Sequence, residues 1–383
     1  MAITQSYVDY NAGSDATGDG TIGTPWRTLQ WAFDHLVRNT TDGNQVNLKA
    51  GTAQVNAAAL DLATFIGGGA LAEAAPLIVR GYTATTNDGG IGEIDCGGAT
   101  MWAATTYDYV FLVDLEMHTF GDNHGVQLDS YCMLYRCEVH KGASSPTDKY
   151  LVAVSSSSVV QGCYVHDLGD GTGRGINATN GAVAFNYVVC GADLDAGYGI
   201  YTAGPCIGNI VLCAGTSQTG IYWTGAHGNV CINNVAYNST AGTTRGIYLV
   251  GAGRATMTSN NIVVGWSGAG GDGVEGNANA GIVGYNALYA CTANTTVSDM
   301  KFIDLTASDV ALAADPFTDA ANGDFSLTTA GKAALRGLGW PAAYLGAHAS
   351  TDGHVTIGAV QYGESEGGGG GAVSISPLKG NIG

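Results

Sequence analysis

An internal repeat of about 25 residues constrains the fold of this chain more than any other feature. Short apolar runs begin at Cys137 and Cys163 and then at five asparagines, with 23 to 27 residues between successive starts. The asparagines are Asn186, Asn209, Asn234, Asn261 and Asn286. A second series, glycine followed by Ile or Val, recurs at 175, 199, 220, 246 and 273. Short β-branched strands at such a period, with Gly and Asn at the corners, are typical of a solenoid of stacked coils.

Equivalent positions on successive coils should form columns with a spacing of about 4.8 Å. The asparagine series predicts a buried ladder of amide side chains, each bonded to the coils on either side. Cys206 should stack on Cys231, and Cys190 on Cys213. Parallel Cβ vectors and a tight interior favour free thiols over disulfides at these pairs. The predicted fold class is therefore all-β, a parallel β-helix solenoid with an N-terminal capping helix.

The ends of a solenoid must be closed, because they expose unpaired backbone and apolar core. We predict an N-terminal cap at 1–52, coils at 53–300, a closing segment at 301–362 and a Gly-rich linker and tail at 363–383. Thr24 as N-cap and Pro25 at the first helical position predict an amphipathic helix across the first coil. Its apolar face would consist of Trp26, Leu29, Phe33 and Leu36. A short helix at 329–338 and a last strand at 355–360 are also expected.

Charge and composition exclude several classes of partner. The chain has 14 Lys and Arg against 32 Asp and Glu, a net charge of −18, so it would repel a nucleic-acid backbone. It has no apolar stretch of membrane-spanning length, and residues 1–15 lack the basic flank and apolar run of a signal peptide. The nine cysteines lack the paired spacing of metal sites. We therefore expect a protein made in a host cytoplasm, with reduced thiols and no membrane partner.

Both ends of the chain carry segments that resemble a known superfamily. The opening segment has Tyr7, Val8 and Asp9, then residues 13–15 and 23–30; the closing segment has residues 315–317, 323–327 and 357–361. These resemble right-handed parallel β-helix proteins of the pectin-lyase-like superfamily, over about residues 5 to 362. The resemblance implies a right-handed coil. Such folds include polysaccharide lyases, glycoside hydrolases, adhesins and phage tail spikes, so the function must be argued from a site.

One candidate column precedes the repeated glycine. It consists of His124, Lys149, Arg174, Tyr198, Thr219, Arg245 and Asp272. Together with aspartates that lie just before it in several coils, this column could line a catalytic groove. Arg174 or Lys149 could neutralise a uronate carboxylate in a lyase, whereas Asp170 with Asp193 or Asp195 could provide the carboxylate pair of a glycosidase. The alternative is that these residues occupy solvated turns.

A second candidate column lies two residues after the repeated glycine. It consists of Asn177, Tyr201, Tyr222, Tyr248 and Glu275, with Trp223 adjacent. Strand alternation places this column outside, opposite buried isoleucines. A row of exposed aromatic rings can bind sugars or a protein, or can stabilise the solenoid without a ligand. We interpret Tyr201, Tyr222, Trp223 and Tyr248, with His124 and Lys149, as candidate ligand-binding residues.

His118, His140 and His166 form a further column at the strand ends. Stacked imidazoles could share a metal, but the side chains of a column point in parallel whereas metal ligands converge. We therefore predict no metal site and no cofactor, and expect each histidine to end a strand and bond the next turn. Calcium at Asp170, Asp193 and Asp195 is an alternative, because carboxylate oxygens suit this ion. It is the weaker one, because the sequence lacks the calcium-binding nonapeptide repeat.

Three function classes remain: a carbohydrate-active enzyme, a carbohydrate-binding or adhesive protein, and a virion component. Synthesis without a signal peptide favours the last, a phage tail spike or head decoration whose β-helix face binds a surface polysaccharide or other virion proteins. Pro377, Leu378 and Lys379 in the tail are the predicted attachment segment. The resemblance to spikes implies a homo-oligomer. A polysaccharide lyase or glycoside hydrolase is the alternative.

Overall fold

In a computed structural model, the chain forms a parallel β-helix. The residues described are 3–56, 58–66, 71–102, 107–121, 124–140, 150–167, 173–191, 197–224, 230–250, 257–276, 282–297, 303–335 and 338. Three parallel sheets run along the solenoid, and each coil passes from sheet 1 to sheet 2 and, from Val126 onward, to sheet 3. The prediction of an all-β parallel solenoid is confirmed.

The strands of each sheet follow one another in chain order, coil by coil. Sheet 1 contains Thr4–Val8, Asn44–Lys49, Leu77–Tyr82, Val110–Val113, Met133–Tyr135, Val159–Gln161, Ala182–Ala184, Cys206–Ile207, Val230–Ile232, Met257–Ser259, Ile282–Gly284 and Ile303–Leu305. Sheet 2 contains Gln54–Val55, Gly92–Asp95, Leu115–His118, Glu138–His140, Tyr164–His166, Tyr187–Cys190, Ile210–Cys213, Val235–Asn238, Ile262–Val264, Ala287–Tyr289 and Val310–Ala311. Sheet 3 contains Val126–Leu128, Tyr150–Val154, Arg174–Ala178, Tyr198–Thr202, Thr219–Trp223, Arg245–Leu249, Asp272–Gly276 and Ala293–Val297.

A single residue in the left-handed region makes the corner between sheets 1 and 2. Gly162 has φ 65° and Gly208 has φ 66° at this corner, where glycine has no steric cost. The same corner is made by non-glycine residues in other coils, namely Asp114, Arg136, Phe185, Asn233, Asn260 and Tyr285. Because the turn is so short, the register from sheet 1 to sheet 2 hardly varies between coils.

The asparagine ladder lies directly after this corner, in single file as predicted. The backbone N–H of Asn186 donates to Oδ1 of Asn209 at 3.0 Å, and that of Asn209 donates to Oδ1 of Asn234 at 3.0 Å. The amide nitrogens of the first four asparagines donate back to sheet 1, as from Asn209 Nδ2 to the Val183 carbonyl at 2.9 Å. All five asparagines are buried. The ladder therefore satisfies polar groups at a corner from which water is excluded.

The cysteine prediction is also confirmed. Cys206 pairs in register with Cys231, and Cys190 with Cys213, and all nine cysteines are free. Burial raises the pKa of Cys96 to about 12, so this thiol stays protonated and unreactive.

The N-terminal helix begins at Leu29, four residues after Pro25, the predicted first helical position. Helix α1 spans Leu29–His35, and its N-cap is Thr28, whose side chain accepts a hydrogen bond from the Trp31 backbone N–H. Thr24 instead lies in a turn, hydrogen-bonded to Asp19 and Thr21. The buried residues of α1 are Leu29, Ala32 and Phe33, which join the core. A closing role for this helix stays a prediction.

The parallel coils extend beyond the predicted range of 53–300. The strand Thr4–Val8 already pairs with Asn44–Lys49, and Ile303–Leu305 and Val310–Ala311 continue sheets 1 and 2.

Helix α2 spans Ala63–Ile66. The longest helices that the structure describes have 7 residues, too few to span a membrane.

A C-terminal segment packs outside sheet 2. It consists of the antiparallel hairpin Phe317–Asp319 with Asp324–Leu327 and of helix α3, Thr329–Leu335, while short 3₁₀ helices span Thr306–Ser308 and Ala320–Asn322. Phe325 meets the ring of Tyr187 edge to face, and Phe317 does the same with Tyr237. The segment thus covers an apolar stretch of the outer face. Helix α3 confirms the start of the helix predicted at 329–338, whereas the strand predicted at 355–360 lies outside the described residues.

The ladder generates a stability prediction. Replacing Asn209 by alanine removes the acceptor of the Asn186 backbone N–H, which leaves this buried group unpaired, and also removes a donor to the Val183 carbonyl. We expect a loss of about 2 to 4 kcal/mol in the free energy of unfolding, measured by chemical denaturation followed by circular dichroism. Asn11→Ala, at an exposed position, is the control and should change stability by less than about 0.5 kcal/mol. Equal losses in the two variants would contradict the structural role of the ladder.

Candidate functional site

The outer face of sheet 3 brings most of the described candidate residues together. In the five-residue strands from Tyr150–Val154 to Asp272–Gly276, the first and fourth residues face outward, and the second, third and fifth are buried in nearly every coil. This pattern produces two outward columns. The first contains Tyr150, Arg174, Tyr198, Thr219, Arg245 and Asp272, and the second contains Asn177, Tyr201, Tyr222, Tyr248 and Glu275.

The first column corrects one sequence prediction. Tyr150, not Lys149, pairs in register with Arg174. Lys149 lies outside the described residues. His124 is described and stacks on Tyr150, with ring centroids 4.9 Å apart. The misassignment arose because turns of unequal length precede the strand, so spacing alone left the register uncertain by one residue.

Tyrosine rings form a nearly continuous strip along this face. Tyr201 and Tyr222 stack with centroids 5.1 Å apart and planes 13° apart, and Tyr248 meets Tyr222 edge to face at 5.2 Å. Tyr198 lies 4.6 Å from Tyr222. We call Tyr150, Tyr198, Tyr201, Tyr222 and Tyr248 the aromatic strip; all five side chains are partly exposed. Burial and neighbouring phenols raise the pKa of Tyr222, so its hydroxyl stays neutral and can donate a hydrogen bond.

Trp223 does not belong to the strip, and its prediction as a ligand-binding residue is wrong. It occupies the fifth, inward position of its strand and is 2% exposed. Its indole N–H donates to the Gly204 carbonyl at 2.8 Å. Simple alternation from Tyr222 already points this side chain inward.

Arg174 lies among three rings of the strip. Its guanidinium carbon is 5.0 Å from the ring centroids of Tyr150 and Tyr198 and 4.9 Å from that of Tyr201. One guanidinium N–H donates to the Tyr150 hydroxyl at 2.9 Å. No salt bridge joins Arg174 to a carboxylate within the described ranges. Beside it, Asn177 Oδ1 is buried and has no hydrogen-bond partner there. Arg174 therefore offers a positive charge that no carboxylate of the described ranges neutralises.

The far end of the strip is acidic. Arg245 forms a bidentate ion pair with Glu275, with Nη2 3.2 Å from Oε1, and its guanidinium lies 4.3 Å from the Tyr248 ring. Burial raises the pKa of Asp272, and the hydrogen bond and charge of Glu275 raise it further. Asp272 and Glu275 belong to separate predicted columns, although they are the first and fourth residues of one strand. Their contact could have been found by noting that the first and fourth positions of one strand share a face.

The acids proposed for catalysis or calcium binding are not placed. Asp170, Asp193 and Asp195 lie outside the described residues, as do Pro377, Leu378 and Lys379 of the tail. Those roles stay predictions. Of the predicted catalytic residues, Arg174 alone can be located.

The histidine column lies on another surface, the outer face of sheet 2. His118, His140 and His166 each end a strand, as expected, and their rings stack at 5.1 and 4.8 Å. Each Nε2 contacts a glutamate of the preceding coil. The pairs are His118–Glu93 at 3.0 Å, His140–Glu116 at 3.1 Å and His166–Glu138 at 2.9 Å. The hydrogen bond with His140 lowers the pKa of Glu116 despite its burial.

The comparisons with known proteins support the fold. No protein-family model matches the chain, and no curated protein matches it. Among solved structures, pectate lyase Pel9A has a TM-score of 0.56 at 13% identity, covering 94% of this chain and 96% of that chain. The native GH136 lacto-N-biosidase from Eubacterium ramulus has a TM-score of 0.43 at 11% identity, covering 81% of this chain and 68% of that one. With the coil topology, the first likeness shows a parallel β-helix fold.

The acidic end of the strip generates a prediction about ionisation. Replacing Glu275 by glutamine removes a negative charge beside Asp272 and releases Arg245 from its ion pair. Both effects favour the charged form of Asp272, so we expect its pKa to fall. Carboxyl carbon chemical shifts in an NMR pH titration measure this pKa. The control Glu93→Gln, on sheet 2, should leave the Asp272 titration unchanged, and an unchanged or higher pKa in Glu275→Gln would contradict the contact.

Proposed function

We propose that the outer face of sheet 3 binds a polysaccharide chain that lies along the solenoid axis. The aromatic strip, with Arg174 near its Tyr150 end, carries this proposal. From Tyr150 to Tyr248 the strip crosses five coils, a length of about 20 Å at the spacing of parallel strands. Partly exposed, closely spaced rings offer flat apolar surface with polar edges, to which a sugar ring can stack and hydrogen-bond.

A polymer fits this surface better than a folded protein. The rings recur at the regular spacing of the coils, and a repeating ligand can make the same contact at each step. A protein interface would instead have a compact apolar centre surrounded by a polar rim. The strip is long and narrow, which favours an extended chain.

The chemistry of the strip indicates which kind of polysaccharide fits. Arg174 has no described carboxylate partner and can form bidentate hydrogen bonds with a carboxylate. Glu275 and Asp272, at the other end, would repel one. With a net charge of −18, the protein also disfavours a densely charged polyanion. We therefore propose a chain with occasional acidic sugars, one of which lies at Arg174.

Catalysis is the second candidate, and Arg174 is the observation that favours it. A guanidinium that neutralises a uronate carboxylate would make the adjacent proton easier to remove, as a lyase requires. A solved structure with the same fold is named a pectate lyase. At 13% identity that likeness supports the fold and leaves the reaction as a proposal.

Binding can be tested with single substitutions on the strip. We expect Tyr222→Ala to weaken the binding of an acidic heteropolysaccharide about tenfold, equivalent to about 1.4 kcal/mol, because it removes the ring that contacts three others. Affinity electrophoresis in gels containing neutral or acidic polysaccharides measures this change. Arg174→Ala should weaken the binding of acidic chains and leave the binding of neutral chains nearly unchanged.

Tyr131→Ala is the matched control. Tyr131 also stacks on a tyrosine, Tyr109, at 5.0 Å, but it lies at the turn before sheet 1 and is 51% exposed. This variant should bind as the wild type does. Wild-type affinity in Tyr222→Ala, or no binding to any polysaccharide tested, would overturn the proposal. Release of unsaturated uronates or reducing ends by the wild type, lost in Arg174→Ala, would show catalysis instead of binding alone.

The virion role stays a prediction. No contact among the described residues bears on a particle, a homo-oligomer or a host compartment, and the predicted attachment segment at 377–379 lies outside them. A polysaccharide-binding face is compatible with a spike, an adhesin or an enzyme. The sheet 3 proposal therefore does not depend on that role.

A further inference from the structure

Three glutamates and three histidines interleave on the outer face of sheet 2. Glu93, Glu116 and Glu138 form one column, and His118, His140 and His166 form the next. Every histidine reaches back to the glutamate of the preceding coil, at 2.9 to 3.1 Å. We call these six residues the His–Glu ladder. It belongs to neither the aromatic strip nor the proposed polysaccharide site.

His166 has a carboxylate at each ring nitrogen. Its Nε2 is 2.9 Å from Glu138 Oε1, and its Nδ1 is 3.1 Å from Asp167 Oδ2. A neutral imidazole has one N–H, so it can donate to only one of these carboxylates. The other contact places a nitrogen lone pair against a negative oxygen unless a cation lies between them. Either a second proton or a metal ion can supply that positive charge.

The ligand atoms converge at the last step of the ladder. One ligand atom from each of Glu138, His140 and His166 lies within 4.8 Å of the others, and the two rings are nearly parallel at 12°. A tetrahedral ion with bonds of about 2.1 Å requires ligand atoms about 3.4 Å apart. Rotation of these half-buried side chains by about 1 Å at their tips would close the difference. The parallel side chains of a histidine column do not converge on one point by themselves. Glu138 approaches His166 from the preceding coil and adds a ligand atom from a different direction.

We propose that Glu138, His140 and His166 bind one divalent transition-metal ion of the zinc class. Two imidazoles and one carboxylate are ligands that such ions prefer, whereas calcium requires six or more oxygens. Asp167 completes the site by accepting the Nδ1 proton of His166, which directs the Nε2 lone pair toward the metal. Because the glutamates repel anions, phosphate or sulfate does not suit this site.

The ion would join two adjacent coils of the solenoid. Glu138 and His140 belong to one strand of sheet 2, and His166 belongs to the next. Metal bonds would therefore add a cross-link between coils that are already joined by backbone hydrogen bonds, by ring stacking and by the His166–Glu138 contact. An ion that binds the folded state alone raises the melting temperature, so binding has a stability readout that requires no activity.

Zinc binding to the full-length protein tests this site. After treatment with a chelator and dialysis at neutral pH, isothermal titration with zinc chloride should give one site per chain and a higher melting temperature. His166→Ala and Glu138→Gln should each weaken zinc binding by at least about tenfold and reduce the thermal shift. Cobalt substituted at the site should show the visible absorption of a tetrahedral ion, and this absorption should be lost in the same variants.

Two controls distinguish the site from adventitious binding. Glu93→Gln removes a member of the other group of three converging ligand atoms on the ladder, Glu93, Glu116 and His118, and leaves Glu138, His140 and His166 intact, so zinc should bind the proposed site with wild-type affinity. His35→Ala removes a histidine on helix α1 and should also have no effect. If His166→Ala fails to fold by circular dichroism, His140→Gln and Glu138→Gln decide the question. No zinc binding by the wild type, or equal affinity in the site variants and controls, would overturn the proposal.

Discussion

The register between successive coils is the constraint on which every surface of this molecule depends. The asparagine ladder fixes that register at the corner between sheets 1 and 2, because the amides from Asn186 to Asn261 bond both to the next amide in the ladder and to a sheet 1 carbonyl. Slipping one coil by a residue would break these buried bonds and turn inward side chains outward. Residues some two dozen positions apart thus become neighbours, and a property repeated in the sequence becomes a continuous strip in space.

Features that repeat in the sequence could be predicted, and features that depend on one local contact could not. The ladder, the paired cysteines and the tyrosine column follow directly from the period. Helix α1 starts late because Thr24 bonds Asp19 and Thr21 in a turn, while Asp15 accepts hydrogen bonds from the Arg27 and Thr28 backbone N–H groups. These tertiary contacts outweigh the capping preference of a Thr-Pro pair. The contact between Asp272 and Glu275 likewise does not follow from the period, because it joins two positions of one strand and not equivalent positions of two coils.

The outer face of sheet 2 changes character along the axis. Its glutamate column continues through Tyr164 and Tyr187 to Ile210 and Val235, and the histidine column continues through Val189 and Leu212. The C-terminal segment covers the apolar end, where Phe317, Phe325 and Leu335 complete a second core. Within the described ranges, the second core does not extend to the charged end. The residues of the outer columns therefore determine where the C-terminal segment packs. The His–Glu ladder lies outside the apolar stretch that this segment covers.

The two proposed sites use the same backbone geometry for opposite purposes. On sheet 3, outward rings on separate coils form an extended surface, and a ligand gains affinity by contacting many coils in turn. On sheet 2, side chains of two adjacent coils approach diagonally and can enclose a single ion. What separates the cases is side-chain length and charge: stacked tyrosines are neutral and tolerate a spacing of about 4.8 Å, whereas glutamates at that spacing repel one another and require a cation. The described carboxylates of both faces lie against such partners: the glutamates of sheet 2 contact histidines, and Glu275 on sheet 3 contacts Arg245.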